Sequence, residues 1–194
     1  MKVNNIIDIM KPDVAILTKT ELRDRIRLRK KESALSLLEK ESEDLMQKIE
    51  QHPRFLEAQT VLLYYSLPDE VFTHQLVERW SGKKEILLPV VSREELALHR
   101  YVGKENLREG SFGIWEPTGV PFTAYETISF VLVPGMAFDL YGNRLGRGKG
   151  FYDRLLPKLI NAYKLGICFS FQYLDFEIPH DNFDCQMNEV LSPL

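Results

Sequence analysis

The sequence predicts an α/β domain built on a mostly parallel sheet. Three observations predict it. The runs 60–66, 85–91 and 129–135 are almost continuously apolar, the composition of strands buried on both faces. Segments of helical spacing separate these runs, and such alternation is met by right-handed crossovers. The length, 194 residues, suffices for one hydrophobic core and is short for two. The expected organisation is a single domain over residues 18–194 behind an N-terminal extension, residues 1–17.

After an irregular start broken by Pro12, Thr18 followed three residues later by Glu21 has the form of a capping box. Helical pattern then runs to about His52, with a break near Glu32 and Ser33. Its second half carries an apolar stripe of Leu35, Leu38, Leu45, Met46 and Ile49, and Pro53 is expected to close it. Thr60 to Ser66 reads as a buried strand, LPDEV as a turn, Phe72 to Trp80 as a helix ending at Ser81-Gly82, and Glu85 to Val91 as the next strand. Glu95 to Val102 alternates polar with apolar residues, which suits a strand near a sheet edge. A Gly/Pro-rich region follows. Ser129 to Gly135 is another buried strand, Tyr152 to Ile160 regains helical character, and Tyr163 to Phe169 is expected as the final strand. In such folds ligands bind beyond the strand carboxyl ends, so the turn after Ser66, the region after Val91 and Pro134 to Asp153 should converge on one cleft.

Composition excludes several classes. A net charge of −3 and a pI near 5.9 argue against a general nucleic-acid binder. Cys168 and Cys185 are too few and too far apart for a disulfide framework or a C-x-x-C site, and reduced thiols are expected. The four histidines never fall at zinc-ligand spacing. No stretch approaches eighteen apolar residues and the N-terminus lacks a cleavage signature, so a soluble cytoplasmic protein is expected, without a membrane partner.

The segment most suggestive of chemistry is GNRLGRGKGFYDR, Gly142 to Arg154, with four glycines interleaved with four cations and an acid near its end. Glycines let backbone N–H groups approach an anion, and Arg144, Arg147, Lys149 and Arg154 can neutralise polyphosphate. It is not a Walker A loop, because Gly150 stands where Ser or Thr must follow the lysine. Nor is it a dinucleotide fingerprint, because Gly146, Gly148 and Gly150 alternate with single residues. From the residues alone Asp153 serves equally as a magnesium ligand or a helix cap, and Glu70 as a ligand carboxylate or a first-turn acid. A basic island, Lys19 to Lys31, adds further cations, of which Arg25, Arg27, Arg29, Lys30 and Lys31 suit a solvated face.

Five motifs together carry a resemblance: KTELR (Lys19 to Arg23), YYSLPDEV (Tyr64 to Val71), FGIWEP (Phe112 to Pro117), VLVPGMAFD (Val131 to Asp139) and the glycine loop. In this order and spacing the chain resembles the 5-formyltetrahydrofolate cyclo-ligase family. The resemblance implies a three-layer α/β sandwich and an ATP- and Mg²⁺-dependent conversion of 5-formyltetrahydrofolate to 5,10-methenyltetrahydrofolate, with release of ADP and phosphate. Carried over by position, it implies that Lys19, Arg23, Arg144, Gly146, Arg147, Gly148, Lys149, Gly150 and Tyr152 hold ATP, with Arg147, Lys149 and Tyr152 in catalytic roles. It implies that Tyr65, Glu70, Phe112 and Tyr152 hold the folate, and that Asp153 and Asp184 hold the metal. The partners implied are small molecules only, and a monomer is expected. Two departures stand out: Phe151 replaces a tyrosine, and Val90 replaces a basic residue often found after the proline. Two other classes share parts of the pattern: a folate- or nucleotide-binding regulator without turnover, and a sugar-phosphate isomerase or CoA-transferase relative sharing the architecture alone.

Overall fold

The structure, a computed structural model, describes residues 17–181 and 183–193. The proposed extension falls almost entirely outside the described residues. Helix α1, Lys19–Glu32, begins as expected: the Thr18 side chain accepts from the Glu21 N–H, and Glu21 accepts from the Thr18 N–H at 2.8 Å. Helix α2, Leu35–Glu50, buries Leu38, Leu45, Met46 and Ile49, but Leu35 lies on its solvent side. Pro53 does not close this section. It stands at the first position of a new short helix, α3, Pro53–Glu57, where its missing N–H costs nothing.

Strand β1, Thr60–Leu62, is shorter than the apolar run that predicts it. The reason lies in Ser66 and Thr73. The Thr73 hydroxyl donates to the Tyr64 carbonyl at 2.5 Å and accepts from the Ser66 N–H at 3.2 Å, taking 64–66 out of the ladder to clip the turn that follows, while the Leu63 N–H still reaches the Leu87 carbonyl at 3.0 Å. Helix α4, His74–Trp80, then leads to β2, Glu85–Ser92, which lies parallel to β1 and completes the expected strand–helix–strand unit. Strand β3, Glu95–Arg100, returns antiparallel along β2 and forms the sheet edge.

A small hairpin of β4, Leu107–Glu109, and β5, Trp115–Pro117, fills the Gly/Pro-rich region. Strand β6, Ile128–Pro134, is central, and a short hairpin of β7, Ala137–Asp139, and β8, Arg144–Leu145, follows it. Helix α5, Phe151–Leu155, gives way to a 3₁₀ turn at Leu156–Lys158. The predicted helix to Ile160 is cut short because Pro157 supplies no N–H to continue it. Strand β9, Tyr163–Ile167, is not the last: β10, Tyr173–Leu174, joins β7, and β11, Glu189–Leu191, adds a parallel edge beside β9. Strands of two or three residues carry too little periodicity to be read in advance.

The main sheet has the order β11-β9-β6-β1-β2-β3, parallel apart from β3. Alternation along the strands sends Val61, Leu88, Phe130 and Leu132 to a core shared with α2, α3 and α4. Leu62, Leu87, Val131 and Val133 go to a second core under Leu155, Leu156 and Leu159. Helices therefore cover both faces, the three-layer sandwich that the sequence predicts. Among the described residues no helix is long and apolar enough to cross a membrane, and both cysteines are free.

Candidate active site

A cleft of about 390 Å³ opens beyond the carboxyl ends of β1, β2 and β6. The three segments expected to converge do so. Tyr64, Tyr65, Leu67 and Glu70 come from the turn after β1; Pro89 and Val91 come from β2; Pro134 to Asp153 supply the opposite wall. Ile114 and Glu116 of the β4–β5 hairpin complete it, a contribution the sequence reading left out.

The turn holding Glu70 is fixed from three sides. Besides the Ser66–Thr73 clip, the Phe72 N–H donates to Ser42 of α2 at 3.1 Å, and Glu70 accepts from the Leu67 N–H at 3.1 Å. Tyr64 is buried, its hydroxyl donating to the Val71 carbonyl, whereas Tyr65 is half-buried and stacks on His74 with centroids 3.7 Å apart. Of the pair, Tyr65 offers its ring to the cleft as the freer surface. The side chain of Phe112 lies outside the described residues.

The glycine loop is braced at its base by Asp139. This carboxylate, 1% exposed, accepts from the N–H groups of Tyr141, Asn143 and Ile178 and from the Asn143 amide, at 2.7–2.9 Å. Gly142 must be glycine there: its φ is +80°, and a Cβ would lie 2.7 Å from the Met187 carbonyl oxygen. Gly150, φ +67°, turns the chain into α5, and a Cβ would meet the Arg154 guanidinium at 2.7 Å. Arg154 in turn donates to the Lys149 and Glu94 carbonyls, tying the loop to the β2–β3 hairpin.

The cations proposed for phosphate occupy distinct settings. Arg144 is buried, donates to the Pro134 carbonyl and pairs with Asp153 at 2.5 Å, while its Nε has no partner among the described residues. Arg147 reaches across the cleft mouth to Asp69 at 2.6 Å and Glu70 at 3.0 Å. Burial works against its charge, but the two carboxylates outweigh that and hold its pKa above the usual value. Lys149 is exposed, and among the described residues its ammonium makes no ion pair. Arg23 donates to the Gly146 carbonyl at 2.9 Å, so α1 supports the loop directly. The Tyr152 ring lies beneath Arg144 at 5.4 Å, and among the described residues its buried hydroxyl has no partner. Burial first, then the Glu70 charge, push its pKa well up, so it stays protonated.

Asp153 and Asp184 line one groove beside the loop, together with Gly150. Asp184 accepts from Lys19 at 2.6 Å and from the Asp181 N–H at 2.8 Å. Burial raises its pKa, but Lys19 and that N–H prevail, leaving it below 3.8. Lys19 shows the mirror case: burial lowers its pKa, and Asp181 and Asp184 together hold it above 10.5. The depressed acid contributes stability present above pH 3.8 and lost as pH falls through its folded value. The raised lysine contributes stability present below pH 10.5 and lost as pH rises through its own. Asp184→Asn is therefore expected to cost about 1 kcal/mol across neutral pH, a difference that shrinks at both extremes in denaturation curves taken against pH.

The comparisons with known proteins agree with this geometry. The sequence profile of the 5-formyltetrahydrofolate cyclo-ligase family matches residues 15–193. The chain belongs to that family. The Haemophilus influenzae 5-formyltetrahydrofolate cyclo-ligase is 28% identical over 89% of this chain and 98% of that protein. The Escherichia coli K12 cyclo-ligase is 30% identical over 73% of this chain and 82% of its own length. Among solved structures, the Aquifex aeolicus 5,10-methenyltetrahydrofolate synthetase superposes with a TM-score of 0.81 at 33% identity, covering 91% of this chain and 90% of that one. Membership in the cyclo-ligase family fits the cleft, because four of the five motifs that carried the resemblance line it, and the fifth, KTELR, braces the glycine loop through Arg23.

Proposed function

We propose that this cyclo-ligase family member converts 5-formyltetrahydrofolate to 5,10-methenyltetrahydrofolate with ATP and Mg²⁺, releasing ADP and phosphate. One observation carries the reading: a single cleft has the cationic glycine loop on one wall and Tyr65 and Glu70 on the other. The loop and Lys149 take the triphosphate, flanked by Lys19 and Arg23, and the formyl group sits between the walls with the pterin donor edge on Glu70.

Asp153 and Asp184 suit a magnesium ion, since both are hard oxygen donors on one groove and such ions take one or two carboxylates beside substrate phosphates. Bound there, the ion would neutralise phosphate charge. Arg144 and Lys19, which pair with these acids, keep them oriented.

The chemistry needs positioning more than a protein nucleophile. A formamide oxygen is a poor leaving group; its attack on the γ-phosphate makes an activated imidate, and the N-10 amine then closes the ring as phosphate departs. Lys149 and Arg147 stabilise the moving phosphoryl charge. Arg147 must leave Glu70 to do so, and a pterin on Glu70 competes for the same carboxylate.

Incubating the protein with 5-formyltetrahydrofolate, ATP and Mg²⁺ is expected to raise the absorbance of the methenyl product with equal ADP release; absence of both would overturn the reading. Glu70→Gln, which turns an amide N–H toward the pterin donors, is expected to raise the folate KM about 10- to 100-fold, with the KM for ATP little changed. An unchanged folate KM would remove Glu70 from that role.

A further inference from the structure

Three carboxylates line the cleft: Glu70, Asp153 and Glu116. Two hold an arginine, Glu70 with Arg147 and Asp153 with Arg144. Glu116 stands apart. It is 9% exposed, sits on β5 and accepts one hydrogen bond, from the Val91 N–H to Oε1 at 2.8 Å. Among the described residues no cation pairs with it, and Oε2 has no hydrogen-bond partner. Its place is made by Gly110, where a Cβ would lie 2.1 Å from Oε2. The surroundings on that wall are Pro89, Val91, Leu96 and Ile114.

A carboxylate on the cleft wall with one oxygen held by a backbone N–H keeps its second oxygen as an acceptor for a ligand N–H. Resting on the cyclo-ligase reading, we infer that Glu116 is the base that takes the proton of the ring-closing N-10 amine. That proton must leave, because N-10 carries a hydrogen in the formyl substrate and none in the methenyl product. The other groups at the cleft are ill suited. Glu70 is taken up by the pterin edge, Asp153 is paired with Arg144, Tyr152 holds its proton, and the other charged groups of the loop are cations. The N-10 lone pair forms the new bond to the imidate carbon, and the N–H bonding pair stays on nitrogen as its proton passes to Glu116 Oε2. The C–O bond then breaks with its electrons leaving on phosphate, and a nitrogen lone pair forms the C=N bond of the product. Glu116 returns the proton to water when the cleft empties.

The test is single-turnover kinetics of Glu116→Gln, whose carboxamide oxygen can still accept from the Val91 N–H. ADP is expected to form at close to the normal rate, with methenyl product slowed by about a hundredfold and the folate KM little changed. Methenyl formation at the normal rate, or ADP and methenyl product falling together, would overturn the inference. Glu116→Asp keeps a carboxylate and is expected to exceed the Gln variant in methenyl formation; no gain over Gln overturns the role even if Gln lowers stability. A normal chain that forms neither product would overturn the cyclo-ligase reading itself, and this inference with it.

Discussion

Replacing Lys149 by alanine is expected to reduce cyclisation at least about tenfold while leaving thermal stability unchanged. Lys149 stands between Gly148 and Gly150 on the exposed part of the loop, and its ammonium has no internal partner among the described residues. Nothing in the fold depends on that charge. Removing it therefore withdraws only the electrostatic help given to a phosphoryl group in transfer, which is strong where water is excluded. The effect should fall on kcat more than on the KM for ATP, because charge in the transition state moves toward the lysine. Steady-state kinetics beside a thermal melt would check it, and near-normal kcat would remove Lys149 from the role. Arg147→Ala should behave differently, since it also frees Asp69 and Glu70 from their shared partner. Its loss of turnover should come with a changed folate KM.

The largest effect on stability is expected at Asp139. Its carboxylate satisfies four donors, three of them backbone N–H groups in the β7–β8 hairpin and the segment at Ile178, and it is almost wholly buried. Alanine would leave those donors without an acceptor and without water to replace it. A cost of about 3–5 kcal/mol is expected, the scale of breaking a buried charged network. Urea denaturation would measure it. The loss should also loosen the base of the glycine loop, because Asn143 and Arg144 directly follow the anchored turn. Asp139→Asn, which keeps one acceptor oxygen, should lie between. A cost under about 1 kcal/mol for alanine would show that other contacts hold the hairpin.

The elements legible in the sequence are those whose signal is local and repeated. The capping box at Thr18 and Glu21 fixes the start of α1, and long apolar runs fix β2 and β6, because burial on both faces leaves a mark at every position. The convergence of the three loops followed from the parallel order of the strands. The sequence also nominated Glu70, Lys149, Asp153 and Asp184, and the fold brings each to the cleft or the groove beside it.

Other features had no local signature. The carboxyl end of β1 was set by hydrogen bonds between Ser66 and Thr73, and α5 was cut short at Pro157. Strands β10 and β11 hold only two and three residues, and only their partners make them strands. Glu116 looked like an ordinary member of a short motif until the hairpin turned it into the cleft.

The alternation of strand and helix, the cationic loop and the family are all written in consecutive residues and can be read from them directly. Tertiary structure alone decided which charges meet. It set Arg147 against Glu70, Arg144 against Asp153 and Lys19 against Asp184, and among the described residues it left Glu116 and Lys149 without counter-ions. The physical reason is distance: an ion pair between residues far apart in the chain leaves no periodicity behind, because it depends on where the folded backbone brings them rather than on their neighbours.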